Sequence, residues 1–153
     1  MQYTAYISRE GKHWLAKFPD CPGCQTFAGS SDALVEEAKE ALEGWLEAHL
    51  VDGEAPPEPK GHRRSPAGHK LATVRIDAGL AVALQIRWAR AKEGLTQTEL
   101  ARRANVSQQQ VAKLERPGEN PTIGTIEKIA RALGLHAEVA LRGSDNRGYR
   151  IRR

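Results

Sequence analysis

The sequence predicts an α+β protein in two parts, a small antiparallel sheet with one long helix followed by an all-α bundle with short flanking strands. Three observations support this: residues 2–18 alternate between apolar and polar, residues 34–50 form an apolar helical stripe, and four helical segments follow a proline-rich stretch. With 153 residues and 40% hydrophobic content, the chain can build one ordinary core or two small ones. Disorder throughout is therefore excluded.

The first part is predicted to form a hairpin, a third strand and a helix. Residues 2–8 and 13–18 alternate in hydrophobicity around a glycine turn, which is typical of two paired strands. Residues 25–28 form a third candidate strand. One of the serines at 30–31 can cap the helix, whose apolar residues recur at intervals of three and four over residues 34–50.

A linker is predicted at residues 51–70, which hold four of the eight prolines and three glycines. Proline lacks a backbone donor and glycine adds chain entropy, so a helix or a central strand is not expected there. The linker should be partly extended and partly flexible. This divides the chain into a domain at 1–50, a second domain at 71–142, and a basic tail at 143–153 that is predicted to be mobile.

The second part is predicted to hold four helices between two short strands. Residues 71–76 and 136–141 alternate in hydrophobicity and are the candidate strands; one hypothesis is that they pair across a dimer. Side-chain caps mark the helix starts. The caps are Asp77 for the first helix, a box of Thr96 with Glu99 for the second, a box of Ser107 with Gln110 for the third, and Thr122 for the fourth.

Residues 97–116 have the pattern of a helix-turn-helix. Two short amphipathic helices flank Asn105, a residue type that tolerates the left-handed backbone of a tight turn. The second helix places glutamines and Lys113 on its outer side, where amide groups can bond bidentately to adenine. The pattern therefore predicts DNA binding, and the alternative is a two-helix corner that contacts nothing.

Residues 77–135 resemble the Xre/Cro type of helix-turn-helix domain found in phage repressors. The resemblance rests on Leu-Thr-Gln at 95–97, Glu-Leu-Ala at 99–101, Val-Ser at 106–107 and Asn-Pro-Thr at 120–122. It implies dimers that bind half-sites about one helical turn apart, with Gln97 anchored to a phosphate. The candidate DNA-binding residues are Thr96, Gln97, Ser107, Gln108, Gln109, Lys113 and Arg116.

Cys21 and Cys24 have the C-x-x-C spacing of thiol–disulfide oxidoreductases. Those enzymes place the motif at a helix N-terminus, which lowers the thiol pKa, whereas a strand or loop is predicted after Cys24. A zinc site would need two further ligands at suitable spacing, and the five histidines are scattered. No metal, cofactor or catalytic residue is therefore expected, although a thiol oxidoreductase or a nuclease is kept as an alternative.

Charge is divided unevenly along the chain. Residues 1–59 have a net charge of −7, residues 60–76 of +5 and residues 77–153 of +6. This distribution favours a basic partner for the first part and nucleic acid for the second. The alternative is that both charged surfaces face solvent and bind no particular partner. Asp20 is the one carboxylate at the end of a predicted strand, whereas two-metal hydrolysis needs several on one site.

Residues 2–50 resemble the N-terminal domain of HicB antitoxins. The resemblance rests on the Phe-Pro-Asp-x-Pro-Gly turn at 18–23 and on the Ala/Glu-rich helix that follows it. It implies a partial ribonuclease-H-like fold without enzymatic activity, which binds and blocks a HicA toxin, a small basic ribonuclease that degrades messenger RNA. The candidate toxin-binding residues are Trp14, Phe18, Asp20, Glu36 and Glu40.

The sequence as a whole predicts a HicB-type antitoxin that neutralises a toxin and represses its own operon as a homodimer or a higher oligomer. The alternative is a ligand-sensing Xre-family regulator without a toxin partner. No apolar run approaches the ~20 residues that cross a bilayer, and the first residues lack the pattern of a signal peptide. A soluble, cytoplasmic protein is therefore expected.

Overall fold

The computed structural model describes residues 1–141, which form two compact units. Within the described residues, one unit comprises residues 1–48 and 56–77, and the other comprises residues 49–55 and 78–141. Within residues 1–141, every helix is too short or too polar to cross a membrane. The elements are β1 (Gln2–Glu10), β2 (His13–Lys17), β3 (Gln25–Ala28), α1 (Ser31–Val51), β4 (Lys70–Arg75), α2 (Ala78–Lys92), α3 (Gln97–Ala104), α4 (Gln108–Leu114) and α5 (Ile123–Ala132).

The four strands form one antiparallel sheet in the order β3-β2-β1-β4. Because side chains alternate along a strand, Tyr3, Ala5 and Ile7 of β1 lie on one face, and all three are buried. The apolar stripe of α1 packs on this face, as the contact of Leu34 and Ala38 with Ile7 shows. The predicted hairpin, third strand and long helix are confirmed.

The strand predicted at residues 71–76 is present as β4, but it belongs to the first unit. It pairs antiparallel with β1, with Ala72 opposite Ala5 and Val74 opposite Tyr3. Both β4 residues are buried on the face that α1 covers, which favours this pairing over a place beside the helices. Assigning residues 71–76 to the second domain is therefore wrong, and the division between the units falls after Asp77.

The strand predicted at residues 136–141 is not formed. A strand needs a neighbour to satisfy its backbone N–H and C=O groups, and no strand pairs with this segment within residues 1–141. Its apolar side chains are exposed, Val139 by 64% and Leu141 by 97%. The predicted mobile tail at 143–153 lies outside the described residues.

Residues 54–66 contain neither helix nor strand, as predicted, but the segment is anchored to the first unit. Asp20, which is 5% exposed, accepts a hydrogen bond from the Lys60 N–H at 3.0 Å and one from the His62 Nε2 at 2.8 Å. The Tyr3 hydroxyl donates to the Pro57 carbonyl at 3.1 Å, and the His62 ring lies edge-on to Tyr6. The expectation of a flexible linker is therefore wrong for these residues, because a buried carboxylate fixes them.

The second unit has a core built by α2 to α5. Leu100, Val111 and Ile129 are fully buried in it, and Ile86 contributes from α2. Gly94 follows α2 with a φ of 65°, a left-handed conformation that favours glycine and lets the chain leave the helix. The four predicted helices are confirmed.

Glu115, which follows α4, places a carboxylate with 0% exposure in this unit. Arg90 donates to both of its oxygens, with 2.8 Å between Nη2 and Oε2, and these hydrogen bonds raise the pKa of the Arg90 guanidinium. The Arg87 Nε forms an ion pair with Oε2 at 3.0 Å, while its Nη1 donates to the Gly53 carbonyl. Two guanidinium groups thus compensate the desolvation of one carboxylate.

Asp20→Ala is expected to release residues 56–69 from the first unit. The variant leaves two donors without their acceptor, at a cost of about 1–3 kcal/mol, so trypsin should cleave faster after Lys60, Arg63 and Arg64. Limited proteolysis followed by mass spectrometry measures these rates. Glu58→Ala, at an exposed position in the same segment, is the control and should match the wild type. Equal rates for Asp20→Ala and the wild type would contradict the anchoring.

Glu115→Ala is expected to lower the free energy of unfolding by about 3–5 kcal/mol, because it leaves two buried guanidinium groups without their counter-ion. Urea denaturation followed by circular dichroism measures the change. Glu127→Ala removes an exposed carboxylate from α5 and should change stability by less than about 0.5 kcal/mol. A similarly small loss for Glu115→Ala would show that the ion pairs contribute little.

Candidate nucleic-acid interface

The helices α3 and α4 form a helix-turn-helix with a three-residue turn. Asn105 takes the left-handed conformation, with φ 52° and ψ 51°, and its N–H bonds to carbonyl groups at the end of α3. The Val106 N–H donates to the Ala101 carbonyl at 3.0 Å, which brings the chain back towards α3 before α4 begins. The predicted turn residue is confirmed, and the pair of helices is held at a fixed angle by the buried Ala101, Val111 and Leu114.

Both helices begin with the predicted capping boxes. The Thr96 Oγ1 accepts a hydrogen bond from the Glu99 N–H, and the Glu99 carboxylate accepts one from the Thr96 N–H, which lowers the pKa of Glu99. Ser107 and Gln110 make the same exchange at α4. The hydroxyl groups of Thr96 and Ser107 are therefore engaged in capping, and they position the helices that bear the other candidates.

The remaining candidate DNA-binding residues lie at the surface. Gln108, Gln109, Lys113 and Arg116 are exposed, and Gln97 is half-buried. Neither Lys113 nor Arg116 forms an ion pair within residues 1–141. The side of α4 away from the core therefore offers amide groups and free cations to solvent.

A chain of hydrogen bonds connects this surface to the buried carboxylate. The Gln97 Nε2 donates to Glu115 at 3.0 Å, and the Gln108 Nε2 donates to the Gln97 Oε1 at 2.9 Å. Since an ionised carboxylate only accepts, the Gln97 amide must point its nitrogen inwards and its oxygen towards Gln108. Gln108 is left with one free N–H and its carbonyl oxygen, which match the N7 acceptor and N6 donor of adenine.

Sequence reasoning missed the residues that hold this arrangement, namely Glu115, Arg87 and Arg90. Their positions in the sequence indicate burial, because the two arginines lie one turn apart on α2 and Glu115 directly follows the core residue Leu114. Charged side chains next to core positions are buried when they have partners. The sequence did not show that these three residues are partners of one another.

The candidate toxin-binding residues separate into two groups. Glu36 and Glu40 are exposed on α1, and Trp14 is half-buried beside that helix. Phe18 and Asp20 are 3% and 5% exposed, and Asp20 is bonded to residues 60 and 62. Both side chains are therefore buried in the chain by itself, and their contact with a partner stays a prediction.

The C-x-x-C pair lies in the core of the first unit. Burial raises the pKa of Cys21 to about 12 and that of Cys24 to about 11, so both thiols are protonated at neutral pH. The Cys24 Sγ donates to the Ala41 carbonyl at 3.6 Å. A redox pair needs an accessible, low-pKa thiolate, which is the opposite of this environment. Residues 1–141 also contain no group of three or more potential metal ligands.

Two family matches cover most of the chain. Residues 3–78 match the HicB-like antitoxins of bacterial toxin–antitoxin systems, and residues 86–139 match the helix-turn-helix family. The first match includes β4, in agreement with the sheet, and the second includes α3, α4 and α5.

Individual proteins are also similar to this chain. Antitoxin HicB 1 of Photorhabdus laumondii is 31% identical over 138 residues, which cover 88% of this chain and 83% of that protein. The immunity repressor protein of Bacillus phage phi105 is 39% identical over 56 residues, and the chain spans 39% of the repressor. A chain of the solved HicA3 and HicB3 toxin-antitoxin complex is 27% identical and covers 50% of this chain at a TM-score of 0.45, with 99% of its own length aligned. The extent of the match to Antitoxin HicB 1 shows that the chain belongs to the HicB family of antitoxins, with a helix-turn-helix as its second unit.

Proposed function

We propose that the chain is an antitoxin with two binding functions. The helix-turn-helix binds the operator of its own operon and represses transcription, and the first unit binds a basic, HicA-type ribonuclease and blocks it. The observation that carries the proposal is the hydrogen-bond chain from Glu115 through Gln97 to Gln108, which orients an exposed amide for base contacts.

The chemistry of the α4 surface supports DNA as the ligand. An amide whose donor and acceptor directions are fixed before binding loses less entropy when it meets a base. Lys113 and Arg116 lie near it without carboxylate partners within residues 1–141, so they can neutralise phosphates. A two-helix corner with a purely structural role would have no need for this orientation.

A second copy of the chain is part of the proposal. A helix-turn-helix of this kind reads two half-sites when it dimerises. The segment 135–141 has an alternating pattern, exposed apolar side chains and no strand partner within the described residues. Pairing with the same segment of a second copy would satisfy its backbone groups, whereas residues 71–76 already pair with β1.

Gln108→Ala and Gln109→Ala are each expected to weaken operator binding by about 1–3 kcal/mol without unfolding the protein, because each removes an amide that can contact a base. Fluorescence anisotropy with the upstream region of the chain's own gene measures the affinity at a fixed salt concentration. Gln25→Ala, which removes an exposed amide from β3 of the first unit, is the control. Wild-type affinity in both α4 variants would remove these residues from the base-reading role.

The charge of the first unit supports a basic protein as its partner. Asp32, Glu36, Glu37 and Glu40 are exposed along the first half of α1, and Lys39 on the same helix is held by Glu43 and Asp77. An exposed acidic surface of this kind accelerates the encounter with a cationic protein. Because Lys39 is neutralised by Glu43 and Asp77, it leaves the negative charge of these four exposed carboxylates largely uncompensated.

Glu36→Lys with Glu40→Lys is expected to slow association with the toxin encoded beside this gene by at least about tenfold at low salt, with a smaller difference at 0.5 M salt. Surface plasmon resonance on the purified toxin measures the rates. Glu93→Lys with Glu127→Lys makes the same change of net charge on exposed sites of the second unit and is the control. An equal effect of both pairs, or wild-type rates for the α1 pair, would contradict a toxin site on α1.

A further inference from the structure

The face of the sheet opposite α1 carries exposed groups that the proposed function does not use. Tyr6 is paired with Lys17, and Gln2 is paired with Arg75, so these residues share the face away from α1. Phe27 lies on the same face through its pairing with Leu15, and its ring is 52% exposed. Lys17 pairs with Gln25, two residues before Phe27 on β3, so this cation is a diagonal neighbour of the ring.

A polar groove of about 140 Å³ runs along this face. Gln2, Thr4 and Thr73 belong to adjacent strands and line it together with His62 and Arg63 of the anchored segment. The two threonines are directly opposite each other in the β1–β4 register. Two hydroxyl groups, an amide and a guanidinium thus converge on one groove, and all of them can donate to phosphate oxygens.

The cations around the groove are free. Lys17, Lys60, Arg63, Arg64 and Arg75 are exposed, and none of them forms an ion pair within residues 1–141. Residues 60–76 contain no carboxylate. Two carboxylates lie close to this basic segment. Asp20 is buried against His62, and Glu58 is exposed two residues before Lys60.

The anchored segment fixes several of these charges before any ligand arrives. The bonds from Asp20 to Lys60 and His62 hold the backbone on both sides of Gly61, and Arg63 and Arg64 follow directly. The edge contact between the rings of Tyr6 and His62 places this part of the segment over the sheet. A ligand therefore meets cations whose backbone is already ordered.

We propose that this surface, which we name the basic sheet face and define by Lys17, Phe27, Lys60, Arg63, Arg64 and Arg75, binds single-stranded nucleic acid. The cations match a phosphate backbone, and the exposed Phe27 ring offers a base a stacking partner. An exposed ring suits unstacked bases rather than a duplex, whose bases are covered by each other. A cationic protein would be repelled, so this face and the acidic side of α1 suit different partners.

The test is fluorescence anisotropy of the full chain with labelled 12-nucleotide oligo(U) RNA and oligo(dT) DNA, and with a non-operator duplex of the same length. We expect one or both single strands to bind at least tenfold more tightly than the duplex, and the comparison of the two strands identifies the sugar that is preferred.

Phe27→Ala should weaken binding by about fivefold to 100-fold through the loss of stacking. Arg63→Gln with Arg75→Gln should lower the slope of log K against log salt by about 1.4, the value for two phosphate contacts on a single strand.

Matched variants separate this surface from the helix-turn-helix. Lys12→Gln with Lys70→Gln removes two exposed charges elsewhere in the first unit, Lys70 being on the α1 face, and should leave single-strand binding close to the wild type. Gln108→Ala with Lys113→Gln should abolish operator binding and retain single-strand binding. Circular dichroism confirms that each variant is folded. The proposal is overturned if neither single strand binds, if the duplex binds as tightly, if the Lys12/Lys70 pair has the same effect, or if the helix-turn-helix variant loses single-strand binding.

Discussion

The buried carboxylate of Glu115 is the group on which the DNA-facing surface depends. It lies where α2, α3 and α4 meet, and it accepts from Arg90 of α2 and Gln97 of α3 while it pairs with Arg87. A carboxylate without exposure must be fully bonded, so each of these donors has one orientation. The Gln97 Oε1 accepts a hydrogen bond from the exposed Gln108, so the orientation of the Gln97 amide also fixes that of the Gln108 amide. The interior of the unit therefore determines which atoms of this exposed amide remain free for a ligand.

Local patterns were sufficient to predict most of the elements. The capping boxes at Thr96 and Ser107 and the left-handed turn at Asn105 depend on neighbours within four residues, and all three are present as predicted. The errors concern partners distant in sequence. An alternating run such as residues 71–76 shows that a strand can form, but it does not show whether β1 or another strand pairs with it. Residues 136–141 have the same pattern and no pairing partner within the described chain, so they form no strand.

Side-chain burial accounts for what the sequence could not show about the sites. Phe18 and Asp20 belong to a Pro/Gly turn whose composition is typical of a surface loop, yet both are buried. The Asp20 carboxylate accepts hydrogen bonds from residues 60 and 62. The proline-rich segment is therefore part of the first unit and not a free linker. Conversely, Phe27 is an aromatic residue in a strand and remains exposed. The exposure of each of these side chains depends on neighbours distant in sequence, which local patterns do not show.

The central claim is that two copies of the helix-turn-helix read the operator of this gene through an oriented amide surface. Hydroxyl-radical footprinting of the upstream region with the purified chain tests it most directly, because it shows where each copy lies on the duplex. The account predicts two protected half-sites whose centres are about 10–10.5 base pairs, or a multiple of that, apart on one face of the DNA. Uniform protection without that spacing, or no protection at micromolar concentrations of the folded chain, would contradict it.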